Sequence, residues 1–274
     1  MDPTAYRQFV ELEESHFWFV SRRAIFFELI ERAVGRRRDL QILDVGCGAG
    51  GMLAPLSRYG DVAGIEPSEE MVAFCRERGF EHVSVGAVED LPVGDEALDL
   101  VTLFDTIEHV PDDIRALREC RRALAPGGLV FISVPAYQFL YANNDRVAKH
   151  YRRYTARELR RKMGVAGLEL VHMTYFNTLL FPVILPVVLL KKVRERFADP
   201  GDTTNLSGTI PRPLNRLLTT VMSSERHLVS RWEVPFGHSL IAIGRRSGSG
   251  AGVGDPGLEP GTSSLSEKRS NRLS

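Results

Sequence analysis

A chain of 274 residues is long enough to bury a full hydrophobic core, as one large domain or two small ones. Lysine plus arginine balances aspartate plus glutamate at 35 each, so no global field draws the chain to nucleic acid and any electrostatic targeting is local. Three cysteines, Cys47, Cys75 and Cys120, have neither a pairing count nor a metal spacing, which excludes an exported disulfide scaffold and fits small apolar fillers in a reducing cytoplasm.

The amino-terminal stretch MDPTAYRQFVELEE is polar and acidic and lacks the basic-then-apolar order of a secretory signal, so export by that route is not expected. Residues 5–35 read as one or two helices with a break around Ser15; Phe17, Trp18 and Phe19 cluster at the break, and Arg22 and Arg23 follow. From Gln41 to Val134 short β-rich apolar runs alternate with helical stretches, the signature of successive βα units on a parallel sheet. Strands are expected at 42–45, 62–65, 83–85, 98–104 and 129–134, and helices at 52–59, 68–78 and 112–124. Ser68 is a candidate N-cap, with Glu70 in the first turn and Pro111 a candidate helix opener; Gly127 and Gly128 are expected to stop the preceding helix and turn into a strand. A helix at 155–164 and a strand at 168–175 follow, and the last strand is expected at 239–244. Residues 247–274 are rich in glycine, serine and proline with almost no large apolar side chains, and are expected to be disordered.

The segment QILDVGCGAGG sets an acidic residue at the end of a strand, then glycines at 46, 48, 50 and 51, then a helix. Glycine lets the backbone turn sharply and lets a ligand lie against the main chain. Gly46, Gly48 and Gly51 also satisfy GxGxxG, so a dinucleotide reading stands beside that of a cationic nucleoside and that of a mere tight turn. Asp44 carries the distinction: a carboxylate repels a pyrophosphate but suits an ammonium and a sulfonium. Glu66, ending the second strand, suits the ribose hydroxyls of either ligand.

The stretches LDVGCGAG, GIEPSEEMV, EDLPVGDEALDLVTLFDTIEHV and LAPGGLVFISVP together resemble class I, Rossmann-like S-adenosylmethionine-dependent methyltransferases of the type 11 and type 23 group. They match in order and spacing over about residues 40 to 135. The resemblance implies an α/β fold, a doubly wound, mostly parallel seven-stranded sheet whose last strand is antiparallel, and S-adenosyl-L-methionine as cofactor. It implies that Asp44, Gly46, Cys47 and Gly48 surround the methionine part, Glu66 the ribose and Pro67 one face of the adenine. Val88 and Glu89 line the adenine edge, and Phe104 with Asp105 close the floor below the methionine part. Many relatives have an aspartate where Ala87 stands, so Glu89 or a backbone carbonyl has to replace its hydrogen bond to the adenine.

The reaction implied is in-line attack on a sulfonium methyl, for which alignment, exclusion of water and removal of a proton suffice and no metal is required. His109, in DTIEHV after the fourth strand, is a candidate base, or else it and Glu108 brace the next helix. NNDRVAKHYRRYT crowds Asp145, His150, Arg153 and Tyr154 into one loop and resembles a DxxxxHxRRYT pattern of bacterial methyltransferases, many encoded near cell-surface polysaccharide genes. His150 is the preferred base; Asp145, Arg153 and Tyr154 are candidate substrate-binding residues, against a solvated loop with Tyr154 packed and Thr155 capping a helix. HFWFVSRR resembles the lid of the same subset, with Arg22 placed to hold the cofactor carboxylate and Trp18 to meet substrate, or else it simply packs on the domain. The organisation expected is a helical lid at 1–39, a methyltransferase domain at 40–246 with a helical insertion at about 179–231, and a tail.

The apolar run LLFPVILPVVLL at 179–190 contains Pro182 and Pro186 and is too short to span a bilayer, which takes about 20 residues. Lys191, Lys192, Arg194 and Arg196 follow, so residues 179–196 suit contact with a membrane surface; a dimer interface and a buried cap are the competing readings. Leu214, Leu217, Leu218, Val221, Met222, Leu228 and Trp232 recur at helical spacing, and with 179–196 are expected to form a hairpin over the acceptor. The reading is a methyltransferase acting on a small-molecule or lipid- or saccharide-linked acceptor, at oxygen ahead of nitrogen or carbon, cytoplasmic or peripheral at the inner membrane face. The alternatives are an NAD-dependent oxidoreductase on the same loop and a non-catalytic cofactor-binding protein; nucleic acid is not expected as a partner.

Overall fold

Apolar residues that alternate along the strands divide between two faces of one sheet, and this division organises the chain. The computed structural model describes residues 12–195, 197 and 210–247. In chain order it runs α1 (Phe17–Val34), β1 (Leu40–Val45), α2 (Leu53–Leu56), β2 (Gly60–Glu66), α3 (Glu69–Glu77), β3 (Val83–Val85), β4 (Leu98–Phe104), α4 (Asp113–Ala123) and β5 (Leu124–Pro135). Then follow α5 (Asn143–Val147), α6 (Ala156–Val165), β6 (Leu168–Phe176), α7 (Phe181–Arg194), α8 (Arg212–Ser224), α9 (Arg226–Val229) and β7 (Ser239–Arg246). The expected tail lies almost wholly outside the described residues, as do residues 1–11.

The sheet has seven strands in the order β3-β2-β1-β4-β5-β7-β6. The first five pair in parallel, whereas β7 runs antiparallel between β5 and β6, as the resemblance implies. On one face Leu43, Val45, Val101, Leu103 and Ile132 pack against Ala116 and Leu117 of α4 and Leu159 and Met163 of α6. On the other, Ile42, Leu100, Phe131 and Ile241 meet Ile25, Phe26, Leu29 and Ile30 of α1, with Met222 of α8 and Val229 of α9. Of the two readings of this segment, α1 follows the packing one over its described residues: its apolar stripe is buried on the sheet.

Local signals place most boundaries. Ser68 caps α3 by accepting from the Met71 amide, Asp112 caps α4 from Arg115, and Thr155 caps α6 from Glu158. Pro111 therefore stands outside the helix it was expected to open. Helix α4 ends at Ala123 and Leu124 already pairs with Leu98, so Gly127 and Gly128 lie inside β5, where the register shifts between Leu98 and Leu100. Gly127 has φ +81°, and a Cβ on Gly128 would stand 3.0 Å from the Leu98 carbonyl oxygen: the pair makes a bulge rather than a turn.

The insertion splits in two. Helix α8 packs on α1, where Asn215 accepts from the Phe17 amide at 2.9 Å and Ser223 donates to Ser21 at 3.1 Å. Helix α7 buries only Phe181, and Pro186 sits inside it. The expected hairpin is corrected to one helix tied to the amino-terminal layer and one largely uncovered.

Helices α4 and α6 are locked by Asp113, whose Oδ2 accepts from the Tyr154 hydroxyl at 2.7 Å, Arg152 at 2.7 Å and Lys162 at 2.5 Å. Removing one partner of a buried charge set leaves the others unpaired, so Asp113→Ala is expected to cost about 3–5 kcal/mol. Asp112→Ala, which removes only a cap, is expected to cost about 1 kcal/mol. Urea denaturation of the two variants checks the difference.

Candidate functional site

Parallel strands on either side of a reversal in connection order leave a crevice at their carboxyl ends. Here the reversal falls between β1 and β4, and the glycine-rich turn closes it. Asp44 is one residue from the end of β1 and buried; its Oδ1 accepts from the Thr102 hydroxyl at 2.7 Å, while Oδ2 is buried with no partner. Burial raises the Asp44 carboxyl to about 7; the Thr102 bond opposes this, and the charges of Glu66 and Glu13 add to it.

The turn takes the conformation only glycine accepts easily. Gly46 has φ +76°, and a Cβ there would meet the Thr106 hydroxyl oxygen at 2.8 Å. Gly48 has φ +54°, and a Cβ on it would enter open space, so its backbone faces the crevice. The Gly48 amide donates to Glu66 Oε2 at 3.0 Å and the Ser68 amide to Oε1 at 3.1 Å, which fixes the Glu66 carboxylate at the end of β2. Cys47 is buried; Cys75 donates from its thiol to the Gly48 carbonyl at 3.2 Å, in keeping with the filler reading. Pro67 is exposed beside the cleft and Glu89 half-buried, whereas Val88 turns its side chain into the core with Ile65 and Leu91. The Ala87 carbonyl accepts from the Asp90 amide at 3.3 Å.

Glu13 was missed. Its carboxylate lies against Gly51, its buried Oε2 has no hydrogen bond but pairs with Arg78 at 3.9 Å, and burial raises its pKa against the charges of Arg78 and Arg23. Glu13, Asp44 and Glu66 thereby surround the turn with carboxylates, and Asp44 holds an oxygen with no partner. Such a set fits a ligand bearing an ammonium and a sulfonium, hence S-adenosylmethionine, and opposes a pyrophosphate.

At the end of β4, Asp105 sits at φ +53° and pairs with Arg22 at 2.5 Å; the Ser133 hydroxyl donates to its Oδ1 at 3.0 Å. Arg22 lies over Trp18 and Phe26, and its buried Nε has no partner. Its guanidinium is thus engaged by Asp105, leaving Nε for a ligand. Phe104 stacks on Phe26 at 5.3 Å as the floor beneath. Trp18 stacks at 6.3 Å on Phe176 and meets His238 edge-on.

A second cluster gathers Glu108, His109, Asp145, His150 and Arg153. His150 Nδ1 is 2.9 Å from Asp145 Oδ1, which also accepts from Arg153 Nε at 2.8 Å, while the Ala142 amide donates to Oδ2 at 2.9 Å. Against the burial that would raise it, the bonds from His150 and Arg153 hold Asp145 down at about 2. The rings of His109 and His150 meet edge-on at 4.6 Å, and desolvation followed by the His150 charge lowers the His109 pKa. Asp145 and Arg153 are buried and bonded to each other, and Asp145 is bonded to His150. Tyr154 is fully buried and bonded to Asp113, which corrects its expected place at the substrate to a packing role. His238, whose pKa burial lowers to about 4, and Ser133 were not foreseen: Ser133 sits in the apolar run of β5 and His238 in the loop just ahead of β7.

Residues 43–132 match the family described as a methyltransferase domain. A protein of Mycolicibacterium smegmatis described as a probable S-adenosylmethionine-dependent methyltransferase is 31% identical over 173 residues, 61% of this chain and 65% of that one. A ubiquinone biosynthesis O-methyltransferase of Xanthomonas oryzae pv. oryzae is 38% identical over 110 residues, 36% of this chain and 46% of that one. The chain spans 65%, 48% and 47% of the length of three curated relatives it matches, less than two thirds of each. Among solved structures, an S-adenosylmethionine-dependent methyltransferase from Archaeoglobus fulgidus shares the fold, with TM-score 0.55 and 19% identity over 86% of this chain and 98% of that one.

Asp44 gives the site a pH signature. Its folded pKa of about 7 lies above the ordinary 3.8, so the stability tied to its protonated form is complete below pH 3.8 and is lost as pH rises from there through 7. The ligand-free protein is expected to lose thermal stability between about pH 4 and 7, and affinity for S-adenosylmethionine to rise by about tenfold between about pH 6 and 8 as Asp44 ionises. Asp44→Asn is expected to abolish both trends, as read by thermal melts and calorimetric titration.

Proposed function

We propose, from the premise that this chain carries a class I, S-adenosylmethionine-dependent methyltransferase domain, that the protein methylates an oxygen of a small-molecule or lipid- or saccharide-linked acceptor. The observation that carries this reading is the pair His150–Asp145 at the acceptor edge, 2.9 Å apart. Asp145, ionised and pinned by Arg153 and the Ala142 amide, accepts a hydrogen bond from Nδ1–H of His150 and fixes the tautomer, so the Nε2 lone pair is free to accept a hydroxyl proton. An amine acceptor has less need of such a base, since its own lone pair attacks. The O-methyltransferase among the relatives supports the same choice.

Bound S-adenosylmethionine supplies a methyl group on a sulfonium that departs as a neutral thioether. The protein's residues have separate tasks around it. Asp44 and the backbone of Gly46, Cys47 and Gly48 hold the amino-acid end, Glu66 the ribose, and Pro67 and Glu89 the adenine. The free Nε of Arg22 reaches the carboxylate, and the Arg22–Asp105 pair sets the floor with Phe104. Trp18 and His238 flank the acceptor and keep water out. His109, against the edge of His150, limits the ring's rotation.

The acceptor's class follows from α7. Val183, Val187 and Leu190 are exposed along one side of it, with Leu189 and Val193 exposed nearby, and Lys191, Lys192 and Arg194 close its carboxyl end. No helix among the described residues is long and apolar enough to cross a membrane. An exposed apolar row ending in cations suits the boundary of an anionic bilayer, where each basic side chain contributes about 1 kcal/mol. We therefore infer an amphiphilic acceptor met at the inner membrane face.

His150→Ala is expected to lower kcat by about a hundredfold with S-adenosylmethionine affinity unchanged, measured by transfer of labelled methyl to catechol and to a lipid extract. A rate within twofold of the parent's would remove the base assignment. Val187→Asp with Leu190→Asp is expected to abolish flotation with phosphatidylglycerol vesicles while leaving methylation of soluble catechol intact; unchanged flotation would count against the membrane reading.

A further inference from the structure

Glu108 is the least satisfied polar group in the cleft. It is fully buried at the amino end of the turn after β4, and both carboxylate oxygens lack any hydrogen-bond partner. An unpartnered buried carboxyl costs folding free energy unless something returns it. The other buried carboxylates nearby show what satisfaction looks like: Asp113 takes three donors and Asp145 takes His150, Arg153 and a backbone amide. Glu108 has none of these, yet it stands beside two imidazoles.

We propose that Glu108, His109 and His150 form a binding site for a divalent transition metal of the zinc class. An oxygen of Glu108 and a ring nitrogen of each histidine lie within 4.8 Å of one another. Ligand bonds of about 2.0–2.2 Å need only side-chain adjustment to draw such a set around one ion. Two imidazoles with one carboxylate match the preference of zinc, cobalt and iron(II), not of magnesium or calcium, which favour all-oxygen shells. Both histidines carry the outer partner that metal-ligating histidines use. Asp145 binds Nδ1 of His150, leaving Nε2 for the ion, and the Ala148 carbonyl lies within hydrogen-bonding reach of His109. Asp145 and Ala148 are thus positioning residues for the site. The sequence conceals it, because neither Glu108-His109 nor His150 belongs to a recognisable metal spacing.

The site deepens the methyl-transfer reading and rests on it only for its consequence. With the ion absent, Nε2 of His150 accepts the hydroxyl proton. With the ion present, Nε2 is a ligand and the acceptor oxygen occupies an open coordination position, where the cation's charge lowers the hydroxyl pKa and the proton leaves to water. No electron transfer is involved.

The test uses the untagged full-length chain stripped with a chelator, titrated with zinc chloride by calorimetry and with cobalt(II) by visible absorption. One ion per chain is expected, with Kd of about 1 µM or below. Glu108→Gln and His150→Ala are each expected to weaken binding by at least about thirtyfold, and Asp145→Asn by about tenfold. Thermal melts and S-adenosylhomocysteine titration establish that each variant is folded. Equal affinity in Glu108→Gln, a thiolate-to-cobalt charge-transfer band placing the ion on cysteine, or no binding below millimolar zinc each overturns the site. Loss of metal binding with methyl transfer intact in the stripped protein removes the site alone, whereas metal binding without any methyl transfer removes the function alone.

Discussion

One carboxylate with half of its hydrogen-bonding capacity unmet governs the cofactor end of this molecule. Asp44 is carried into the core because it rides on β1, a central strand flanked by β2 and β4, and the sheet order puts its side chain where the connections reverse. Thr102 on β4, its register partner, meets one oxygen and leaves the other without a partner. A folded chain tolerates that cost where a ligand offsets it. The surrounding features follow: positive φ at Gly46 and Gly48 brings bare backbone to the same place, and Glu66 is immobilised by two amides of the adjoining loops. Glu13 adds negative charge from above the turn. A dinucleotide phosphate would enter this set against three carboxylates, and an antiparallel β7 departs from the all-parallel order expected of dinucleotide-binding domains.

What the sequence revealed of this arrangement follows from how local each cause is. The strand ends, Ser68 and Thr155 as caps, and the glycine turn were legible because propensity, capping and backbone freedom act within a few residues. Val83–Val85 and Leu98–Phe104 fall where the apolar runs place them. The β5 bulge was not legible, since a Gly-Gly pair after a helix has the same local signature whether it turns the chain or shifts a register, and only the pairing of Leu124 with Leu98 decides it. The role of α1 was hidden for another reason. Aromatic residues beside arginines read as a mobile cover, but Ile25, Phe26, Leu29 and Ile30 further along the same helix bury on the sheet and hold the whole element down.

The acceptor edge was half legible. Asp145, His150 and Arg153 stand close in sequence, so their crowding in one loop announced itself, and their mutual hydrogen bonds make them one unit. Tyr154 shares that loop but points the other way, into the Asp113 knot, because adjacent residues in extended backbone face opposite sides. Ser133 and His238 come from β5 and the approach to β7, which are brought to the cleft only by sheet pairing. The contrast between Asp113 and Glu108 is informative here. Both are buried acids near the end of β4; the first is saturated by donors and belongs to the scaffold, the second is left with none and faces histidines.

The insertion between β6 and β7 shows how one stretch of chain can serve both stability and recognition. A helix closing an open sheet face must bury a stripe, and α8 does so through Met222 with Asn215 and Ser223 bonded to α1. Its partner α7 has the more apolar sequence, yet it is the one left uncovered among the described residues. If apolar character alone set the packing, that order would be reversed. The difference lies in polar anchoring: α8 offers side chains that satisfy the exposed start of α1, whereas α7 is fixed at its amino end, where Glu225 accepts the Thr178 and Leu179 amides, and at Lys192 and Glu195, which bond to the segment around α5. A helix fastened near its two ends with its apolar side turned outward is presented rather than packed. Because the segment it fastens onto carries Asp145 and His150, whatever meets α7 lies next to the histidine-bearing loop. That proximity is what lets the proposed amphiphilic acceptor reach the proposed base.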